Sequence, residues 1–177
     1  MPRSRDSYGA AAVGGDAQAL VVIHPHEEFD YGVNEENIVR AAENFDGDVF
    51  YVPDTRDGDL DSLYGDNVYD YLLTGETKGE LEDDTVEEIA EGYDEVFLGG
   101  GYAKQCLRNA HRSFVESEAE TNVYIVPALS FAQQFNVTDG EEDTIRYNLE
   151  DVMGDENKVQ KHFGHFFGDS VGIATAL

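Results

Sequence analysis

Positive charge is what this sequence has least of. Its 177 residues carry 11 Lys plus Arg against 38 Asp plus Glu, a formal net charge of −27. Lysine is the scarcer of the two basic types, found at positions 78, 104, 158 and 161. A field this negative repels nucleic acid and anionic membrane surfaces, so neither is expected as a partner. Cysteine is nearly absent as well. A lone Cys106 excludes an internal disulfide and fits a reducing compartment such as the cytoplasm. No apolar run approaches the ~18 residues of a membrane-spanning helix. Arg3 and Arg5 are followed by no apolar stretch of the kind a secretory signal needs.

What is present is enough apolar material for a core. Hydrophobic residues make up 41% of the chain, with ten Tyr and ten Phe, which argues against an acidic disordered chain. The length suits one domain. At low salt, repulsion among the carboxylates loosens the compact state; at molar salt the screening length falls to about 3 Å. The composition therefore reads as that of a halophilic, archaeal-type protein working in a salt-rich cytoplasm.

Residues 1–18 are small, polar and rich in Gly and Ala, and read as a flexible arm; residues 19–177 read as a single domain. Ala19–Ile23 (ALVVI), Val49–Val52 (VFYV), Glu95–Leu98 and Asn122–Val126 (NVYIV) are short apolar runs that suit buried parallel strands. Between them, Asn34–Phe45 places Ile38, Ala41, Ala42 and Phe45 at helical spacing, and Thr85-Val-Glu-Glu88 has the form of a capping box opening a helix. Val68–Leu73 is ambiguous between a short strand and a helix. Three glycines, 99 to 101, read as a turn into a helix that carries Ala103, Cys106, Leu107, Ala110 and Phe114 on one face. The last third predicts two amphipathic helices, one around Ile145, Leu149, Val152 and Met153, the other around Val159, His162, Phe163, Phe166 and Phe167. Val171–Ala176 closes the chain as a strand or a docked tail. Alternation of strand and helix predicts a three-layer α/β/α domain with a mostly parallel sheet, a Rossmann-like arrangement.

Ligands of open α/β sheets bind beyond the carboxyl ends of the strands. Three segments reach that edge: His24-Pro-His26, Thr55-Arg-Asp57, and Gly99 to Cys106. Backbone N–H groups exposed at a helix start favour an anion there, and they stabilise a cysteine thiolate. Cys106 is thus a candidate nucleophile, although its place beside Ala103 and Ala110 also suits a small buried hydrophobe.

These segments resemble, in order and spacing over roughly residues 19–135, the isochorismatase-like cysteine hydrolases. His24-Pro-His-Glu-Glu-Phe29 stands where that family has Asp-x-Gln-x-x-Phe, and Gly100-Gly-Tyr-Ala-Lys-Gln-Cys106 where it has Gly-x-x-Thr-x-x-Cys. The resemblance implies a Cys–Asp–Lys triad, with Asp activating the thiol, Lys assisting, and backbone amides before the cysteine holding an oxyanion. Here His24 occupies the Asp position. No lysine lies at Val68–Leu73, where the family's would be expected, and Lys78 is the nearest. The candidate catalytic pair is Cys106 and His24, with Gly100, Gly101, Tyr102 and Asp57 as oxyanion and pocket residues.

Other constellations are weaker. Asp57, Asp59 and Asp61 alternate like the start of a calcium loop, but Ser62 and Val68 stand where such a loop needs Gly and Glu. His162 and His165 sit one helical turn apart beside phenylalanines, which favours packing over metal ligation, and His24 and His26 have no visible third ligand. Asn136-Val-Thr138 is a glycosylation sequon, without meaning in a chain that is not exported. No metal and no cofactor are expected. With the Asp and Lys positions unmatched, the sequence leans towards a degenerate member with weak or no hydrolase activity, a pseudoenzyme serving as a binding or structural subunit. A homo-oligomer or a component of a larger assembly such as a virion would suit it. The alternative is an active cysteine hydrolase that cleaves a C–N bond of a small-molecule substrate with Cys106.

Overall fold

The computed structural model describes residues 17–26, 35–54, 60, 63–65, 68–73, 79–101, 105–118, 120–131, 156–168 and 170–174. In chain order these form β1 (Gln18–Ile23), α1 (Glu35–Asn44), β2 (Asp48–Val52), β3 (Tyr71–Leu72), α2 (Asp83–Gly92), β4 (Glu95–Gly101), α3 (Cys106–Val115), β5 (Asn122–Phe131), α4 (Glu156–Phe167) and β6 (Gly172–Ile173). The sheet order is β3-β2-β1-β4-β5-β6, and every strand pair is parallel.

Alternate residues of each strand enter opposite cores, as the pleat requires. Ala19, Val21 and Ile23 of β1, Phe50 and Val52 of β2, and Val96 and Leu98 of β4 pack with Ile89 of α2, Leu107 and Phe114 of α3, and Phe163 of α4. Leu20, Val22, Val49, Tyr51 and Phe97 fill the other core with Ile38 and Ala42 of α1. Three layers result, with β1 and β4 central and the side chains of Ala19–Ile23 fully buried. That double burial is why these strands read as unbroken apolar runs. Among the described residues no helix is long and apolar enough to cross a membrane.

Polar ties lock the amino edge of the sheet. Tyr93, just past α2, donates its phenolic hydroxyl to Asp48 Oδ2 at 2.5 Å. Burial, helped by that carboxylate, pushes the phenol above its ordinary range. Asp70 accepts from the Val49 N–H at 2.9 Å while its own N–H donates to the Val49 carbonyl, which pins the short β3 beside β2.

Three expectations are corrected. Gly99 to Gly101 do not form the turn; they are the last residues of β4. The capping box does not cap, because α2 begins at Asp83, behind Glu82, and Thr85 is buried inside the first turn. Asp83 and Asp84 complement the helix dipole there. β5 does not stop at Val126 but runs through Pro127 to Phe131. Proline has no N–H for the ladder, and the register slips at this point: Leu98 pairs with Ile125, yet Gly100 pairs with Ser130. Ser130 Oγ closes the slip by donating to the Val126 carbonyl at 2.8 Å. The ambiguous Val68–Leu73 segment supplies strand β3, and the end of the chain supplies β6. The helix expected around Ile145 and Met153 lies outside the described residues.

Candidate active site

Strand order reverses between β1 and β4. From β1 the chain moves outward to β2 and β3, then returns to the centre and builds β4, β5 and β6 on the other side. The crevice at the carboxyl ends of those two central strands is where open α/β sheets place their ligands. Ile23 pairs with Gly100, so the residues that follow, His24 on one strand and Gly101 on the other, leave the same edge together.

His24 is buried and holds φ of +50°, the left-handed region that a non-glycine residue rarely adopts. Such a conformation costs about 1–3 kcal/mol and persists only where the surroundings impose it. Two of those constraints are visible. The His24 N–H extends the β1–β2 ladder by donating to the Val52 carbonyl at 2.8 Å, and Pro25 follows directly. The chain then turns so tightly that the His26 N–H donates to the His24 carbonyl at 2.8 Å.

His26 is buried too, and its Nε2 accepts the N–H of Asp54 at 2.8 Å. That bond takes up the Nε2 lone pair and fixes the ring against the end of β2. Asp54 is itself buried. The sequence reading missed this link, and its only sequence signal is a second histidine two residues past the strand end. Asp54 is a described carboxylate at this edge.

Cys106 is the first residue of α3 and is 5% exposed. It belongs to the same core cluster as Leu81, Leu107 and Ala110, and Cys106, Leu107, Ala110 and Phe114 form the buried face of α3. Helix N–H groups at this end stabilise a thiolate relative to a thiol. The residue is also covered. Gly79, at φ of +77°, lies so close that a Cβ there would stand 2.4 Å from the Cys106 carbonyl oxygen and 2.7 Å from its Cα. Only glycine permits that approach.

Gly100 and Gly101 are the last two residues of β4. Tyr102, Asp57 and Lys78 lie outside the described residues, as do Asp59, Asp61, the sequon and the side chains of His162 and His165. Among the described residues no three His, Cys, Asp or Glu side chains converge as a metal site requires.

A third buried histidine, His111, sits on α3 with its ring 5.2 Å from that of Phe167 on α4, edge to face. Burial lowers its pKa below the ordinary 6.5. The unfolded chain then takes up this proton first, so stability is full above pH 6.5 and is lost as pH falls through that value towards the folded pKa. Urea midpoints at pH 7.5 and 5.5 should differ more for the wild type than for His111→Leu. Equal pH slopes would rule the effect out.

Compared by sequence, the chain matches no protein-family model and no curated protein. Compared by structure, it has the isochorismatase-like fold. An isochorismatase-like hydrolase from Alkaliphilus metalliredigens superposes with a TM-score of 0.58 at 13% identity, covering 91% of this chain and 95% of that one. N-carbamoylsarcosine amidase from Thermoplasma acidophilum gives 0.56 at 19% identity, with coverages of 91% and 98%. An octameric hydrolase of unknown specificity from Escherichia coli gives 0.56 at 10% identity, with coverages of 90% and 76%.

Proposed function

We propose that this chain is a cysteine hydrolase that cleaves a C–N bond of a small amide, with Cys106 as nucleophile and His24 as its base. The observation that carries this reading is the strained, buried His24 at the switch point, one strand away from the helix that begins with Cys106. The amidase among the structural neighbours supports the choice of bond.

In this reading the His24 imidazole takes the thiol proton, and the thiolate adds to the amide carbonyl carbon. Backbone N–H groups between Gly101 and Cys106 hold the oxyanion. The intermediate collapses by expelling the amine, which leaves with the proton from His24, and a thioester remains on Cys106. Water, deprotonated by His24, then hydrolyses the thioester and frees the acid and the thiol. The test is turnover of a panel of small carboxamides and N-carbamoyl compounds, together with labelling of the native protein by a thiol reagent near neutral pH. Hydrolysis with labelling faster than that of a free thiol is expected. Absence of both would leave the second reading.

That second reading is a binding or structural subunit without catalysis. It is favoured by the burial of Cys106 in the core beneath Gly79. The octameric neighbour supports self-association under either reading.

The charge of −27 fits a salt-rich, reducing cytoplasm as the setting of this activity. Far-UV circular dichroism during dialysis from about 2 M salt to the ~10 mM range should record loss of the fold, since the screening length grows about tenfold or more over that interval. A melting temperature independent of salt would refute the adaptation.

A further inference from the structure

Acidic residues are spread over the described helices with one exception. α1 has three glutamates and α2 has five carboxylates in its ten residues. The ten residues of α3 contain none; they contain Arg108, His111 and Arg112. α4, which packs beside α3 over the same core, has one acidic residue and two lysines. In a chain of net charge −27, the solvent side of α3 presents Arg108 and Arg112 and meets its first carboxylate at Glu116, just past the helix end.

The face is also exposed. Arg108, Arg112 and Val115 follow one another at helical spacing along the solvent side of α3, and Val115 is 59% exposed. One groove beside this ridge, of about 320 Å³, runs between α3 and Phe167 of α4, with Glu116 at its edge. On the opposite side a larger groove of about 600 Å³ is bounded by Glu80, Glu82, Asp83 and Asp84 around the start of α2 and, on the α3 side, by Arg112 and by Glu116 just past the helix end. A basic, partly apolar ridge therefore lies beside an acidic lip on the same surface.

We propose that this surface binds a second copy of the chain across a twofold axis, with the α3 ridge of each copy set against the acidic lip of the other. Adjacent patches of opposite sign are self-complementary under twofold rotation, because each copy offers what the other lacks. A second copy suits the face for a further reason. Two chains of this charge repel wherever carboxylates meet, and α3 is the described helix that presents none. Val115 and the half-buried Phe167 give the contact an apolar centre that salt does not screen. The proposal rests on the self-association reading and names the surface responsible for it.

The experiment is a charge-swap cycle on the full chain, read as mass by light scattering after size exclusion, at a salt concentration where circular dichroism shows wild-type folding. The wild type should elute as a dimer or a larger even assembly. Arg108→Glu/Arg112→Glu should lose the twofold contact and halve the mass, and so should Glu82→Lys/Asp84→Lys. Mixed in equal amounts, the two variants should regain the wild-type mass, since each altered ridge then meets an altered lip. A monomeric wild type would overturn self-association itself. An assembled wild type whose two variants keep its mass, or fail to recombine when mixed, would overturn this surface alone. Restored mass on mixing also excludes misfolding as the cause of dissociation.

Discussion

Gly100→Ala should leave little or no folded protein under conditions where the wild type is fully native. The residue holds φ of +91°, where a side chain is strained whatever the surrounding space. Space is lacking as well. A Cβ at Gly100 would stand 2.0 Å from the Ile23 carbonyl oxygen, 2.7 Å from its nitrogen and 2.8 Å from its carbonyl carbon. All three are backbone atoms of β1, so no side-chain rotation relieves the clash. β1 and β4 must separate locally, and they are the two central strands, packed against both cores. Backbone strain alone costs about 1–3 kcal/mol. Parting a doubly buried strand pair adds to it, so the total should exceed the ~4 kcal/mol that marks exceptional substitutions. Typical domain stability is only about 5–15 kcal/mol. Denaturant midpoints followed by circular dichroism provide the measurement. A shift equivalent to less than about 1 kcal/mol, the size of an ordinary point substitution, would contradict the account.

The same glycines show where the sequence was legible and where it was not. Apolar runs located the four principal strands because strands buried on both faces tolerate no polar alternation. The helices between them were legible from Ile38 and Ala42 or Leu107 and Ala110, whose spacing follows the 3.6-residue turn. Gly99 to Gly101 misled for a physical reason. Glycine marks both turns and places where two backbones approach closely, and the partner that requires Gly100 lies at Ile23, far away in sequence. The strand expected to end at Val126 runs on past Pro127 for a related reason, since a strand survives a proline when the register slips and Ser130 closes the gap.

Of the site, sequence order alone could place His24 and Cys106 at the sheet edge, because the strands before them were identifiable. It could not reveal the left-handed backbone of His24, the bond from the Asp54 N–H to His26, or the seating of Gly79 on Cys106. Each depends on a contact between segments whose relative position only the folded sheet sets. The apparent loss of the family's Asp and Lys weighed towards a degenerate site when the sequence stood alone. The strain at His24 weighs the other way under the proposed chemistry, because a glycine would hold that left-handed backbone at less cost.

That contrast makes the second large effect specific to the proposed chemistry. Cys106→Ser should abolish amide turnover, lowering kcat/KM by about 10⁴-fold or more, as removal of a covalent nucleophile does elsewhere. The exchange of sulfur for oxygen is small in volume, so the fold and its melting temperature should change little. His24→Ala should lower kcat by about 10²–10⁴-fold, the range of a lost general base, with labelling of Cys106 slowed in parallel. His24→Asp provides the discriminating case. If the position serves as the base for the thiol, a carboxylate there should recover part of the activity lost in His24→Ala and move the acid limb of the pH–rate profile downwards, because Asp ionises below His. A residue that only packs would respond differently. The buried carboxylate would then destabilise the fold, and neither turnover nor thiol labelling would rise above the alanine level. Wild-type turnover that survives Cys106→Ser would place the chemistry elsewhere in the molecule.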